Sequence, residues 1–484
     1  MSTTLAGRHM ALDEWLQLAD DLGKLRRVDG ADWDLEMGTI TEIACLETKD
    51  PPCLLFDHIR GYPAGYRLMT NSFASKTLAA ALLGIPDGLT SNEMAKAWRA
   101  KTRDMRLVPV REVPSGRVFR NVQRGNDIDL WKFPAPRWHE HDGGRYLGTG
   151  NIVVTRDYDD GSINVGCYRM MVHDENKLGL YISPGHHGRI HRDKYFAHGE
   201  PMPVVAAFGL DPLLHLGGSL TLAAEVNEYE WVGGVRGAPV EVIPGPVTGL
   251  PLPAHAEVVV EGFVHPDRFL DEGPLGEWTG YYASGVREEP YIQVEAVYHA
   301  DDPIVLGSPP MRPPGDNYFA KRTIMHALIW DALEASGVPD VQAVTLIPST
   351  SAGMLVISIK QRFGGHARQA ALAAANSRSA AYLGRYIVVV DDDIDTENVD
   401  EVLWAIWTRS DPEDSLDLIR HCWSTPLDPR IPPERRERGD FTTSRLIIDA
   451  TRPFHWRNSY PMVSGASREL KAAARQKWEA LFRD

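Results

Sequence analysis

The stretch "INVGCYRMMVH", residues 163–173, decides the fold class, because it reads as a β-strand and still carries an arginine and a histidine. Other β-rich stretches follow it or precede it, separated by loops rich in glycine and proline: "NIVVT" (151–155), "AEVVVEGFV" (256–264) and "YIQVEAVYH" (291–299). This spacing of short strands predicts a β-barrel-like domain, which we place at residues 113–306, with one helix near "HRDKYFAHGE" interrupting it.

Alternating helix and strand patterns on both sides of the barrel predict an α/β domain at residues 1–112 and another at residues 307–484. The first contains an amphipathic helix and two helices that start at Ser75 and Ser91. The second begins in the Pro-rich "GSPPMRPPGDNYF" and ends in a helix for which Ser467 is the predicted N-cap. The predicted fold class is therefore a multidomain α/β (α+β) protein.

Composition narrows the classes of function. The chain has 484 residues, 43% of them hydrophobic, and a formal net charge of -15, which argues against general binding to nucleic acids or to anionic membranes. Four cysteines without a CxxC pair do not form a disulfide framework. The start "MSTTLAGRHMALDEW" lacks a signal-peptide pattern, and no apolar run approaches the ~20 residues of a membrane span, so we predict a cytoplasmic protein.

Two segments far apart in sequence carry opposite charges that could pair. Arg169 lies in an apolar strand, where an unpaired charge is costly, so it requires a carboxylate, in a structural salt bridge or in a site. The segment "DEGPLGEWTGYY" (271–282) offers Glu272 and Glu277 in a spacing of glycine and proline that no helix can follow. It is either a surface turn or a rigid loop that directs two acids to one point.

Two further segments offer ligands for a metal ion. The segment "SPGHHGRIHRD" has three histidines, and "NEYEW" places Glu228 and Glu230 on one face if it is extended. Oxygen ligands with one imidazole suit Mg²⁺ or Mn²⁺. We interpret "HEHDGG" (139–144) as a polar loop and "DDDID" (391–395) as a turn after a strand. Dinucleotide, Walker, HExxH and GxSxG motifs are absent from the sequence.

In their order, the segments "INVGCYRMMVHD", "ISPGHHGRIH", "GGSLTLAAEVNEYEWVGGVRG" and "EGPLGEWTGYY" resemble the UbiD family of prenylated-FMN-dependent decarboxylases. The resemblance spans nearly the whole chain. It implies that the central domain is a split β-barrel like those of flavin reductases. The segments "SRLIIDATRPFHWR" and "WHEHDGGRY" are more similar to the aromatic-acid branch of the family than to its cinnamic-acid branch.

The resemblance also implies a role for each matching residue. Glu272, Arg169 and Glu277 form a catalytic network in which Glu277 donates the proton. The metal ligands, for Mn²⁺ or Mg²⁺, are Asn164, His187 and Glu228, and a K⁺ ion lies nearby. The residues that bind the cofactor are Asn164, Arg169, Ser219, Glu228 and Arg385. Many members have lysine where this chain has Arg385, and the two side chains bind phosphate with different geometry.

One feature of the spacing conflicts with a regular strand. Asn164 and Arg169 are five positions apart, so an unbroken strand places them on opposite faces. Either Gly166 introduces a bulge, or the two residues serve opposite edges of the cofactor.

The implied reaction is the reversible, non-oxidative decarboxylation of an aromatic or heteroaromatic carboxylic acid, with prenylated FMN as a covalent electron sink and CO₂ as the second product. Implied partners are a flavin prenyltransferase that supplies the cofactor and further copies of the chain, in a dimer or a hexamer built through the C-terminal domain. A flavin-binding oxidoreductase, or an accessory subunit of a carboxylase complex, is the alternative.

Overall fold

A computed structural model describes residues 11–223, 225–316 and 318–481, without the side chain of Arg468. Residues 1–10, which include most of the segment used to exclude a signal peptide, lie outside the described residues, as do Ala224 in the "GGSLTLAAEV" motif and Asn317 in the Pro-rich boundary. In the described part of the chain, no helix is long and apolar enough to cross a membrane.

The N-terminal part forms a small sheet covered by helices. Its elements are α1 (Leu12–Asp21), β1 (Leu25–Asp29), α2 (Glu36–Leu46), β2 (Cys53–Asp57), β3 (Arg67–Thr70), α3 (Lys76–Leu83) and α4 (Ser91–Thr102). The predicted starts of the two later helices are confirmed: Ser75 caps α3, and α4 begins at Ser91 with Thr90 as its cap. The apolar side of α1, with Trp15 fully buried, packs into the core.

The central part is mostly strand. Its elements are β4 (Arg111–Glu112), β5 (Asn121–Arg124), β6 (Arg145–Gly148), β7 (Asn151–Arg156), β8 (Ile163–Gly166), β9 (Met170–Asp174), β10 (Lys177–Gly179), α5 (His187–Ala197), β11 (Met202–Phe208), α6 (Pro212–Ser219), α7 (Glu228–Arg236), β12 (Glu241–Pro244), β13 (Pro251–Pro253), β14 (Val258–Glu272), β15 (Arg287–His299) and β16 (Ile304–Leu306). The strand β16 pairs in parallel with β3, so residues 304–306 complete the N-terminal sheet.

The large central sheet curls on itself. Its strands run in the order β6-β9-β10-β15-β14-β11-β7-β8, with β5 also paired to β15. On a flat sheet, the six steps from β9 to β8 would separate these strands by about 29 Å. The chain joins them through residues 167–169 alone, and four residue steps span at most about 14 Å. The two ends of the sheet must therefore lie close together, as in the predicted barrel.

The C-terminal part is a sheet between two layers of helices. Its elements are α8 (Tyr318–Ala335), β17 (Val341–Leu346), β18 (Met354–Ile359), α9 (His366–Asn376), α10 (Arg378–Ala381), β19 (Tyr386–Asp391), α11 (Val399–Arg409), β20 (Leu416–Trp423), α12 (Pro433–Glu437), β21 (Thr442–Ala450) and α13 (Arg468–Lys477). The strand order is β17-β18-β19-β21-β20, and separate apolar cores fill the two faces. The predicted cap of α13 is confirmed, because the Ser467 hydroxyl accepts a hydrogen bond from Leu470 N at 3.2 Å.

Candidate active site

The three residues that close the barrel also carry its buried arginine. The strand β8 ends at Gly166 and β9 begins at Met170, so Arg169 lies in the link between them, not in a regular strand. Tyr181 N donates to Arg169 O at 3.2 Å and fixes the end of the link. The expected conflict between Asn164 and Arg169 therefore disappears, because the two residues belong to opposite ends of the curled sheet.

Arg169 binds both glutamates of the 271–282 loop. Its Nε and Nη2 donate to the two oxygens of Glu272 at 2.9 and 2.7 Å, and its Nη1 donates to Glu277 Oε1 at 3.1 Å. The Arg169 side chain is 9% exposed and that of Glu272 is 1% exposed, so the pair is screened from water. The segment is therefore not a surface turn: it directs two acids to one guanidinium.

Backbone contacts explain the glycine and proline of this loop. Glu272 ends β14 opposite Arg287 of β15, and the chain then turns through Gly273, whose φ of 85° favours glycine. The loop backbone meets that of Gly143, whose N donates to Pro274 O at 2.8 Å. A Cβ at Gly143 would lie 1.9 Å from Gly273 O, so no larger residue fits there.

Asp142 holds this loop, although the sequence suggested only a polar loop at 139–144. Its Oδ2 accepts hydrogen bonds from Trp138 N and His139 N at 3.1 and 2.9 Å, and its Oδ1 accepts one from the Tyr282 hydroxyl at 3.0 Å. Asp142 is 7% exposed. A buried acid with this many donors ties the "WHEHDGG" segment to the end of the glutamate loop. The two glycines that follow it were the only local signal of a constrained backbone.

The charges in this cluster are set by burial and by the arginine. Burial raises the pKa of Glu277 to about 7, against the opposing charges of Arg169 and Arg287. Burial alone would lower the pKa of Arg169, but the carboxylates of Glu272 and Glu277 raise it, so the guanidinium stays charged. Near neutral pH, Glu277 is thus the member of the cluster that gains and loses a proton.

The C-terminal part contacts the same loop. The Trp278 ring stacks on Tyr382, with ring centroids 5.6 Å apart, and Arg436 Nη1 donates to Ala283 O. Tyr281 is 63% exposed, whereas Tyr382 covers one face of Trp278, the residue after Glu277.

The elements that carry the three predicted metal ligands meet through a chain of hydrogen bonds. Asn164 is on β8, and its Nδ2 donates to the Tyr168 hydroxyl at 3.3 Å; that hydroxyl also accepts from Gly188 N at 3.2 Å, next to His187. Glu228 Oε2 accepts from Val165 N at 2.9 Å. "NEYEW" is not extended: Asn227 caps α7, and Glu228 is its first residue. The three elements therefore converge, and in the helix Glu230 lies about 200° around the axis from Glu228, not on the same face.

Glu228 has the character of an incomplete ion site. It is 5% exposed, burial raises its pKa to about 7, and within residues 11–223, 225–316 and 318–481 no cationic side chain forms an ion pair with it. A cluster of three or more His, Cys, Asp or Glu suited to a metal does not occur in the described part of the chain. The candidate set contains an asparagine instead of a third such residue, and the buried carboxylate of Glu228 fits a hard divalent cation.

The two residues expected at the cofactor phosphate lie in different surroundings. Ser219 ends α6, where its hydroxyl donates to Leu216 O at 2.8 Å and its carbonyl accepts from Lys321 Nζ at 2.9 Å. Arg385 precedes β19 and donates to both oxygens of Asp428, at 2.8 and 2.6 Å. Its guanidinium thus already has a carboxylate, whereas the Lys321 ammonium, which the sequence did not single out, bonds a carbonyl.

Comparison with known proteins covers almost the whole chain. Family models match the 3-octaprenyl-4-hydroxybenzoate carboxy-lyase N-terminal domain at residues 16–98, its Rift-related domain at 111–313 and its C-terminal domain at 318–450. Phenolic acid decarboxylase of Escherichia coli O157:H7 is 30% identical over 457 residues, which is 92% of this chain and 93% of the relative. Pyrrole-2-carboxylic acid decarboxylase of Pseudomonas aeruginosa is 31% identical over 440 residues, 87% of each chain.

Solved structures with a similar fold belong to the same class of enzymes. The UbiD-class enzyme HmfF from Pelotomaculum thermopropionicum in complex with FMN has a TM-score of 0.82 and 27% identity, covering 95% of this chain and 98% of its own. An evolved dimeric form of HmfF in complex with prFMN has a TM-score of 0.78 and 28% identity, covering 94% and 97%. The fold and the matches together define a carboxy-lyase. The chain belongs to the UbiD family.

Proposed function

We propose that the protein is a reversible decarboxylase of an aromatic or heteroaromatic carboxylic acid that works with prenylated FMN. The observation that carries this proposal is the buried Arg169, bound by one carboxylate on each side, with the pKa of Glu277 near 7. Relatives that act on phenolic acids and on pyrrole-2-carboxylic acid, and a relative in complex with prFMN, support the substrate class and the cofactor.

The residues around Glu228 would hold the metal that accompanies the cofactor. Its buried carboxylate lacks a cation in the described residues, so Asn164, His187 and Glu228 fit Mn²⁺ or Mg²⁺, with K⁺ nearby. Ser219 and Asn164 would face the cofactor phosphate. When bound, the modified flavin supplies the electron sink for the electron pair that remains after CO₂ leaves.

The side chains of the cluster have separate tasks. Arg169 binds the carboxylate of the substrate, and Glu272 holds Arg169 in place through two hydrogen bonds. The bond between the carboxylate and the ring carbon breaks, and CO₂ departs. Glu277, neutral below pH 7, then donates its proton to the same carbon and recovers a proton from solvent. In the reverse direction, Glu277 accepts the proton of that carbon.

Burial serves the proton transfer. A general acid works best when its pKa is near the working pH, and burial brings an ordinary carboxyl into that range. The hydrogen bond from Arg169 Nη1 at 3.1 Å holds the carboxyl in one orientation. A flavin oxidoreductase or an accessory subunit has no need of such a donor, so the cluster favours the decarboxylase.

Identical chains assemble through the C-terminal part, as a homodimer or as a hexamer. Trp407 on α11 is 82% exposed and Met462 is 94% exposed. Leu470 and Leu481, in and after α13, are 65% and 73% exposed. Apolar side chains this exposed are typical of a surface that another subunit covers. Light scattering after size-exclusion chromatography measures the assembly, and a monomer at micromolar concentration would contradict it.

The decisive experiment loads the protein through co-expression with a flavin prenyltransferase, the expected supplier of the cofactor. Cofactor absorbance and CO₂ release are then measured on a panel of phenolic, indole, furan and pyrrole carboxylic acids. We expect turnover with at least one of them, and ring-hydrogen exchange in deuterated water with its product. A loaded protein that releases no CO₂ from any member of the panel would contradict the proposal.

A further inference from the structure

Lys321 places its ammonium at the end of α6. It is the fourth residue of α8, and its Nζ donates to Ser219 O at 2.9 Å. Within residues 11–223, 225–316 and 318–481, no carboxylate forms an ion pair with it. We propose that Lys321 binds the phosphate of the flavin cofactor, in the role that the resemblance gave to Arg385. The inference rests on the proposed function for the identity of the ligand.

The surroundings of Lys321 place it beside the cofactor-facing residues. Its charge acts on three side chains from different elements: Cys167 in the barrel link, His186 before α5 and His215 in α6. Burial is the main cause of each pKa shift; the ammonium adds to the lowering of the pKa of His186 and His215 and opposes the raised pKa of Cys167. Hydrogen bonds give the same placement, because Cys167 N donates to Gly218 O at 3.0 Å, next to Ser219, and Val165 N donates to Glu228 Oε2 at 2.9 Å. A phosphate held by a metal at Glu228 would thus meet a positive charge from Lys321.

Charge balance favours Lys321 over Arg385. A charge removed from water needs a partner, and the carbonyl of Ser219 supplies only a dipole. Burial and the nearby Arg322 lower the pKa of Lys321 to about 8, as expected where a cation lacks an anion. Arg385, in contrast, is neutralised by Asp428 through two hydrogen bonds. A phosphate completes the surroundings of Lys321 and has to compete for Arg385.

A structural role is the competing explanation. An ammonium group at the C-terminal end of a helix stabilises the carbonyl groups there, and Lys321 reaches the end of α6. The chain offers a matched control for this role. Lys101 Nζ donates to Leu83 O, at the end of α3, at 2.6 Å, and it lies outside the candidate site. Lys101→Met therefore removes the same group and the same kind of bond without touching the proposed phosphate site.

The test compares FMN with riboflavin, which differ by the phosphate alone. Apo protein is titrated with each flavin in the presence of Mn²⁺, and binding is followed by the quenching of flavin fluorescence. For Lys321→Met we expect FMN to bind about 10- to 100-fold more weakly, because one hydrogen bond to a charged group is lost. Riboflavin, which has no phosphate, should bind within about twofold of wild type. Lys321→Arg should recover part of the FMN affinity, and Lys101→Met should change neither.

The outcomes separate the alternatives. If Lys321→Met keeps the wild-type preference for FMN, the assignment is overturned while the proposed function stands. Equal weakening of both flavins, with a lower melting temperature, also overturns it, because that result marks a structural lysine. If Lys321→Met is unstable, Lys321→Gln replaces it, because glutamine keeps a donor for Ser219 O. The same comparison of FMN and riboflavin affinities then applies. A wild-type protein that does not distinguish FMN from riboflavin overturns both this inference and the cofactor of the proposed function.

Discussion

Replacing Glu277 with glutamine tests whether the fold keeps this carboxyl neutral. The pKa of Glu277 is about 7, whereas an exposed glutamate ionises at 4.5. Each unit corresponds to about 1.4 kcal/mol, so ionisation of Glu277 costs the folded state about 3 kcal/mol. Because the pKa is raised in the folded state, this cost is absent below pH 4.5, grows as the pH rises and is complete above pH 7. Glutamine does not titrate, so the variant lacks this pH-dependent contribution to the free energy of unfolding.

The assay is the melting temperature of the apo protein between pH 4.5 and 8.5, taken as the difference between Glu277→Gln and wild type. We expect this difference to rise by about 3 °C over that range and to level off above pH 7, because the entropy of unfolding of a chain this long is about 1 kcal/mol/K. Any constant loss from the weaker bond to Arg169 shifts the whole curve and does not affect its slope. In the holo protein, the same variant should retain the cofactor absorbance and lose turnover by at least about 100-fold.

Glu257→Gln is the matched control. Glu257 is fully buried, its pKa is also raised by burial to about 7, and Arg117 Nε lies 3.3 Å from it, but it is outside the candidate site. It should reproduce the pH-dependent gain in melting temperature and keep turnover. A flat difference for Glu277→Gln beside a rising one for Glu257→Gln would refute the neutral carboxyl. Near-normal turnover of loaded Glu277→Gln would refute its role as proton donor.

Four further outcomes are expected. Glu228→Gln should abolish Mn²⁺ binding measured by electron paramagnetic resonance, while Glu230→Gln keeps it; equal Mn²⁺ binding in both would remove Glu228 from the ligand set. Arg169→Lys should lower kcat by at least about 100-fold, because an ammonium cannot hold Glu272 through two parallel bonds, and kcat within tenfold of wild type would contradict this. Asp142→Ala should destabilise the protein by about 1–3 kcal/mol, since buried donors lose their acceptor; denaturation with urea measures it, and an unchanged midpoint counts against the bracing role. Trp407→Glu should shift the assembly toward the monomer in light scattering, and an unchanged mass would exclude α11 from the interface.

Local patterns in the sequence were sufficient for much of the fold. β-Rich stretches between loops of glycine and proline predicted the long central strands, and a serine before an apolar repeat predicted the starts of α3 and α13. The need of a buried arginine for a carboxylate pointed from Arg169 to the glutamate loop, which lies more than a hundred residues away. These inferences succeed because each depends on propensity or charge, which a residue carries with it.

Other features depended on the closure of the sheet and could not be read locally. "NEYEW" was considered as an extended segment, but the Asn227 side chain caps a helix there. Asp142 looked like one acid in a polar loop, because its donors come from a turn and from Tyr282, 140 residues further on. Lys321 gave no signal, since it is one basic residue in a helix until α8 packs against the end of α6.

The link formed by residues 167–169 has a consequence for how this enzyme can vary. The same three residues join the two ends of the sheet and carry Arg169, so their number is fixed by the distance that they bridge. An insertion there would displace Arg169 and at the same time separate the two ends of the sheet. Library design for new substrates should therefore leave this link untouched and diversify Tyr382 and its neighbours, which reach the glutamate loop from another part of the chain.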